Sequence, residues 1–320
     1  LAKNANRDKY MLSEKQIKDL GKIAVFYGGL SSERKVSLQS GNAVYQALKS
    51  LKLDVEKIDV GYNIPEIITT KKFDRVFNML HGKYGEDGII QALLEWNDIP
   101  FTGAKMAASA IAMDKYRTKL IATSIGCLTP ESMLIKNEKH SLMIVEKLSL
   151  PLVIKPISEG SSIGISIVKE KNQMVDAYIK ALKYTNQVMA EKFVKGSEYT
   201  AAILDDTALP VIKLKAKNEF YDYEAKYESD ETEYMCPCGL DQNIEKQVQN
   251  QAIKIFKAIG ARHWGRADFI IDKNNHSYFI EMNTIPGMTE HSLVPMAAYH
   301  AGIDFNRLVY KIIKQTLHHD

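Results

Sequence analysis

Arg266, Asp268, Glu281 and Asn283 are the residues whose types and spacing point most directly to chemistry. The run RADFIID at 266–272 alternates polar and apolar, which puts Arg266, Asp268, Ile270 and Asp272 on one face of a strand. The run SYFIEMN at 277–283 alternates in turn and puts Glu281 and Asn283 on one face. The turn-prone KNNH between them predicts a hairpin with Asn274 and Asn275 at its tip, a pair that tolerates the positive φ such turns need. In that register Asp268 faces Glu281 and Arg266 faces Asn283. Two carboxylates opposed across a ladder repel. A shared divalent cation removes that cost, and Asn283 adds a neutral oxygen of the kind magnesium accepts. The same residues also fit a solvated hairpin face. Against that reading stand Arg266 and the TIPGM turn at 284–288, whose stiff-then-flexible backbone suits carrying N–H donors to a ligand. The stretch reads as a metal and phosphate site.

Other residues gather around the same chemistry. Lys155 lies inside the apolar run LVIKP, where a lysine needs an anionic partner or a route to solvent. The loop SEGSSIG at 158–164 follows it, small and rich in donors, and a loop of that kind can close over phosphates with backbone N–H groups. His81 ends an apolar strand and opens HGKYGEDG at 81–88, the place where open parallel sheets collect ligands. It reads equally as a structural histidine. Near the N-terminus, GG at 28–29 follows an apolar run, and Ser31 and Ser32 offer N-caps to a helix carrying Glu33 in its first turn. A carboxylate there either complements the helix dipole or holds a substrate ammonium. Neither a G-x-G-x-x-G fingerprint nor a Walker loop occurs.

The elements needed to position these groups follow an α/β rhythm. Strands are expected at 22–29, 53–60, 74–80, 150–157, 165–169, 188–194 and 198–204, ahead of the hairpin. Helices are expected from Ser31 onward, at 89–97, in two pieces across 104–126 broken at Asp114 and Lys115, and at 141–148, 175–184, 244–259 and 305–317. At 320 residues the chain should form two or three compact units sharing a cleft. A net charge of +3 gives no argument for a polyanion partner, so no nucleic acid is expected, and apolar runs broken by charge predict no membrane span. Three cysteines, Cys127, Cys236 and Cys238, are poor material for a disulfide framework and fit a reducing cytoplasm. The first residues lack the apolar core of a secretory signal and read as an extension.

Taken together, GGLSSERKVS at 28–37, HGKYGEDG at 81–88, KPISEGSS at 155–162, FYDYEAKY at 220–227 and EMNTIPGMTEHS at 281–292 resemble the D-alanine–D-alanine ligase family, in its order and spacing, from about Lys22 onward. The resemblance implies a mixed α/β ATP-grasp fold in three domains, with ATP between the central and C-terminal ones. The expected boundaries are an extension at 1–21, an N-terminal βαβ domain at 22–114, a central domain at 115–194 and a catalytic C-terminal domain at 195–320. It further implies a cytoplasmic homodimer that joins two D-alanine molecules through an acyl phosphate for peptidoglycan synthesis. By the same resemblance Lys115, Lys155, Ser161 and Ser162 hold ATP phosphates. Glu191, Lys192, Val194, Glu198 and Lys226 complete the nucleotide site, and Asp268, Glu281 and Asn283 bind two Mg2+ (or Mn2+). Glu33 takes the first D-alanine's ammonium with His81 near its carboxylate, and Arg266 and the Gly287 N–H stabilise the oxyanion. Ser292 and Leu293 take the second D-alanine. Tyr227, through Ser161 and Glu33, would set its identity. Another carboxylate–amine ligase of the fold would lose the Glu33 and His81 set. A non-catalytic ATP-binding regulator would lose Arg266 or the metal ligands.

Overall fold

In the computed structural model, which describes residues 11–70, 72–160, 162–215 and 233–318, three sheets organise the chain. The first is parallel, in the order β2-β1-β3, from β1 (Ile23–Gly28), β2 (Val55–Val60) and β3 (Arg75–Asn78). Its central strand is apolar on both faces because it feeds two cores. Ile23 and Val25 pack with Val44 and Leu48 of α2 (Arg34–Ser50), whereas Ala24 and Phe26 pack with Ile68 of α3 (Ile64–Thr70) and with Ile90 and Leu94 of α4 (Ile89–Trp96). The strand order changes direction beside β1, so the crevice at the carboxyl ends of β1 and β3 is the natural ligand position of this sheet.

The segment expected to be a mere extension contains a helix, α1 (Glu14–Leu20). Ser13 and Gln16 close a capping box at its start, and Leu20 is fully buried in the first core. Gln16 Nε2 donates to the Tyr310 hydroxyl at 2.9 Å, which ties this helix to the C-terminal one.

The second sheet is antiparallel, β4-β7-β5-β6, from β4 (Ser132–Ile135), β5 (Leu152–Pro156), β6 (Ser166–Val168) and β7 (Val188–Lys192). Leu152, Ile154, Val188 and Ala190 face a core shared with α7 (Glu138–Leu148) and α8 (Met174–Leu182). Val153, Lys155 and Glu191 therefore point the other way. The third sheet, from β8 (Gly196–Leu204), β9 (Thr207–Ala208), β10 (Ile212–Lys215), β11 (Glu233–Met235), β12 (Trp264–Asp272) and β13 (Ser277–Asn283), runs β11-β10-β8-β12-β13 with β9 paired to β8, and β12 and β13 form the predicted hairpin. Helix α9 (Gln242–Ala258) covers its inner face through Val248, Ala252, Ile255 and Phe256.

Packing brings together elements far apart in the chain. Helices α5 (Met106–Met113) and α6 (Lys115–Ser124) join the core of the third sheet, with Ala108, Ala112 and Ala122 beside Phe256 and Phe279. Helices α10 (Leu293–His300) and α11 (Phe305–Lys314) return to the first sheet, where Val294, Leu308 and Ile312 meet Val25 and Leu48. Among the described residues no helix is long and apolar enough to cross a membrane.

Candidate active site

Along β12 the burial alternates as the sequence predicts, with Ala267, Phe269 and Ile271 inward and Arg266, Asp268 and Ile270 on the opposite face. Asp268 pairs with Glu281 and Arg266 with Asn283. The tip differs from the expected two-residue turn. Asp272 Oδ1 accepts from the backbone N–H of Asn274 and His276, and Asn275 takes φ 64°, which gives a three-residue connection. Near the tip Phe269 thus faces Phe279, and a bulge between Asp268 and Phe269 restores the expected pairing further along. The bulge also lets Phe279 and Met282 both reach the core while Glu281 and Asn283 stay on the open face.

Each of the two opposed carboxylates has a cationic side chain of its own beside it. Arg266 grips Asp268 with both arms of its fork, Nε to Oδ1 at 2.8 Å and Nη2 to Oδ2 at 2.7 Å. Thr200 Oγ1 (2.6 Å) and Asn283 Nδ2 (3.1 Å) complete the shell of Asp268. Glu281 instead meets Lys115 Nζ at 3.2 Å. Among the described residues no group of three His, Cys, Asp or Glu could hold a metal. Two carboxylates and one amide oxygen are nevertheless the hard, sparse donor set of a magnesium ion that keeps waters and substrate phosphates as its remaining ligands. The residues fit Mg2+ in that role.

Lys115 begins α6, with Asp114 as its N-cap, and its Nζ also donates to the Glu159 carbonyl at 2.6 Å. It thereby links the Gly- and Ser-rich loop to the hairpin. The anionic partner required by Lys155 is Glu191 on the neighbouring strand, at 2.6 Å, with both side chains almost fully buried. On the far side Glu191 meets a lysine that sequence reasoning missed, Lys119, at 3.1 Å. Glu191, expected to offer its backbone to adenosine, neutralises two lysines with its side chain.

Lys115, Lys155, Ser162, Glu191, Lys192, Val194, Glu198, Arg266, Asp268, Glu281 and Leu293 line one cavity between the second and third sheets. Lys192 Nζ turns outward to Glu131 at 2.7 Å. Glu198 sits opposite Ile270 and Leu214 on the third sheet. A wider groove on the outer side shares Lys192 and Val194 but has none of the acidic and basic set around Glu281. Ser161, Lys226 and Tyr227 lie outside the described residues.

Glu33 and His81 meet at the crevice of the first sheet. Ser31 and Ser32 are not the N-caps expected. Glu33 occupies the cap position itself, just outside α2, and the Ser31 hydroxyl donates to the His81 carbonyl at 2.6 Å. Two glycines make room for the Glu33 carboxylate. A Cβ on Gly82 would stand 2.9 Å from its Oε2, and one on Gly160 2.9 Å from both oxygens. The loop after His81 and the loop after Lys155 therefore close on Glu33. His81 Nδ1 lies 2.8 Å from the Met79 carbonyl, an arrangement that requires the proton on Nδ1, and its Nε2 is buried without a partner among the described residues. Burial pulls the His81 pKa down and Arg266 adds to this, while Glu33 opposes it. Glu86, which the sequence did not single out, accepts from Gly82 N–H at 2.8 Å. Lost hydration, then Glu33, push it up to about 8, so it carries a proton at neutral pH. At the TIPGM turn, Met288 N–H donates to Ser40 Oγ at 3.0 Å, and a Cβ on Gly287 would stand 3.1 Å from Ser292 Oγ. Ser292 also accepts from Thr289 N–H at 3.0 Å, which fixes the turn against α10 and Leu293.

The chain as a whole is similar to known proteins. A model of the D-ala D-ala ligase C-terminus matches residues 121–314, and one of its N-terminus matches residues 63–104. The D-alanine–D-alanine ligase of Pseudomonas fluorescens is 46% identical over 303 residues, 95% of this chain and 94% of its own. That of Saccharophagus degradans is 47% identical, over 93% and 95%. A crystal structure of the Bacillus anthracis D-alanine–D-alanine ligase complexed with ATP superposes with a TM-score of 0.83 at 33% identity, covering 93% of this chain and 97% of that one. The VanG D-Ala:D-Ser ligase of Enterococcus faecalis gives 0.82 at 31%, covering 92% and 99%. With relatives at this identity aligned over more than nine-tenths of both chains, the chain belongs to the D-alanine–D-alanine ligase family.

Proposed function

We infer that the chain joins two D-alanine molecules into D-alanyl-D-alanine at the expense of ATP, releasing ADP and phosphate for peptidoglycan precursor synthesis. The observation that carries this reading is the convergence of Lys115, Lys155, Arg266, Asp268 and Glu281 on one cleft in a chain of this family. A carboxylate oxygen of the first D-alanine attacks the γ-phosphorus of ATP, and ADP leaves. The amine nitrogen of the second then attacks the acyl carbon, and phosphate leaves. Such chemistry asks mainly for positioning and neutralisation of charge.

Lys115 and Lys155 hold phosphate oxygens, aided by Ser161 and Ser162. Glu191 and Val194 through their backbones, with Lys192, Glu198 and Lys226, surround adenosine. Asp268, Glu281 and Asn283 hold Mg2+, which when bound neutralises phosphate charge. Glu33 receives the first ammonium, and the neutral His81 lies ready to take up a proton beside the first carboxylate. Arg266 with Gly287 N–H faces the oxyanion, and Ser292 and Leu293 border the second D-alanine. Three lobes built on the three sheets, a cytoplasmic location and a homodimer complete the proposal.

Phosphate release from ATP and magnesium should require D-alanine and be absent with L-alanine. Equal stimulation by both enantiomers, or by neither, sinks the reading. The second substrate needs its own test, because a D-Ala:D-Ser ligase shares the fold closely. Tyr227 is proposed to hydrogen-bond toward Ser161 and hold a polar network over the second amine. A site built to hydrogen-bond its substrate rejects an analogue that leaves those groups unpaired far better than an apolar one does. In competition at pH 7, with products resolved by mass, D-alanyl-D-alanine should dominate over D-serine and D-lactate products. Tyr227→Phe should admit D-lactate. Abundant depsipeptide from the unmodified chain, or no change in the variant, counts against this role.

A further inference from the structure

Lys119 does not line the cleft, yet it shares a carboxylate with one of the cleft's lysines. It lies one turn after Lys115 on α6, with its side chain 2% exposed. Its Nζ reaches Glu191 Oε2 on β7 at 3.1 Å and donates to the Phe279 carbonyl on β13 at 3.1 Å. The Glu191 carboxylate is thus shared between Lys119 behind it and Lys155 at the cleft, whose Nζ stands 2.6 Å from the other oxygen. A carboxylate with one cation is a neutral pair. With two cations the cluster keeps one net positive charge, and Lys155 is the member that lines the cavity.

We propose that Lys119 is a positioning residue for nucleotide binding: by holding Glu191 from behind, it leaves the Lys155 ammonium charge available to an anionic phosphate chain. The inference rests on the ATP reading given above and extends it to a residue outside the cleft. The contact with Phe279 gives the arrangement a second consequence, because one buried ammonium bridges the second and third sheets that form the two walls of the cleft. A buried lysine is costly to maintain, and burial pulls Lys119 down to about 8. Glu191 opposes that fall, Lys155 adds to it by repulsion, and Glu281 opposes it from β13. A merely structural site of this size is more cheaply filled by an apolar side chain.

The test uses Lys119→Met, Glu191→Gln and the double variant, with binding of ADP and magnesium read by calorimetry. In Lys119→Met the whole Glu191 carboxylate falls to Lys155, and ADP affinity should drop about tenfold while the KM for D-alanine stays within about twofold. In the double variant no carboxylate remains to neutralise Lys155, and affinity should return to within about threefold of the unmodified chain. A structural role predicts the opposite order, with the double variant weaker than either single one. Unchanged ADP affinity in Lys119→Met, or a double variant no stronger than Lys119→Met, overturns the proposal. If Lys119→Met does not fold, Lys119→Gln decides, since it removes the charge behind Glu191 while keeping a polar group there, and it should show the same loss of about tenfold in ADP affinity; unchanged affinity overturns the idea. An unmodified chain that binds ADP and ligates D-alanine while the variants fail these expectations defeats the role of Lys119 only. An unmodified chain that binds no ADP defeats the ATP reading itself, and this proposal with it.

Discussion

Glu281→Gln is expected to lower turnover by roughly 10²–10³-fold or more while leaving the fold in place. Glu281 faces Asp268 directly, and together with Asn283 they form the one patch of hard oxygen donors on the open face of the hairpin. The amide of glutamine keeps the shape and one oxygen but removes the charge that holds a divalent cation. The midpoint of activation by magnesium should therefore move up by about tenfold or more. Stability should respond much less. The Lys115–Glu281 pair is nearly buried, with side chains 9% and 18% exposed, so breaking it has a cost. Lys115 keeps the Glu159 carbonyl as an acceptor, though, and the variant relieves the repulsion between Glu281 and Asp268. A net loss of about 1–2 kcal/mol, a few degrees in Tm, is the expected balance. Near-normal turnover at low magnesium would show that Glu281 serves only to anchor Lys115. A collapse of Tm alongside activity would assign the residue to the fold.

Legibility in the sequence followed the range of the interaction. Alternation along 266–272 was enough to place Arg266 and Asp268 together, because a strand writes its two faces into consecutive residues. The Asp268–Glu281 pairing was foreseen through a simpler tip than the real one. Three loop residues and a bulge offset one another, and neither is visible from the alternating pattern alone. Helix α1 was missed although Ser13 and Gln16 carry a capping-box spacing, because a short polar segment at a chain end invites dismissal. The need of Lys155 for an anion was readable, whereas the identity of that anion was not. Glu191 stands 36 residues away on a strand that reads as ordinary. Lys119 was the least legible of all. A lysine four residues after another on a helix looks like a solvated stripe, and only the meeting of β7, β13 and α6 turns it inward. Ser31 and Ser32 misled in the opposite way, since the helix starts later with Glu33 at its cap, and the Ser31 hydroxyl accepts from Glu33 N–H and donates to the His81 carbonyl outside it.

Arg266→Lys should cost about 10²–10³-fold in kcat, the loss typical of removing one preorganised donor from a developing oxyanion. A lysine preserves the charge, so the prediction turns on geometry. In the folded chain the Arg266 guanidinium is fixed by two parallel bonds to Asp268, which set the plane and direction of its remaining N–H groups. An ammonium on a flexible stem makes one such bond at a time and aims nothing. The field of Arg266 already reaches the first sheet, where it lowers the pKa of both His81 and Glu86, so the residue lies within reach of the substrate groups proposed for that crevice. Asp268 retains Thr200 and Asn283 as donors when the fork is lost, which keeps the carboxylate from being stranded and limits the stability loss to about 1–3 kcal/mol. The measurement is kcat and KM for D-alanine together with Tm. A fall in kcat at nearly constant KM, with a Tm shift of a few degrees, identifies an interaction made mainly in the transition state. Normal kcat in Arg266→Lys, or a loss that tracks Tm through a series of replacements, would mean that Arg266 serves to neutralise Asp268 and does no chemistry of its own.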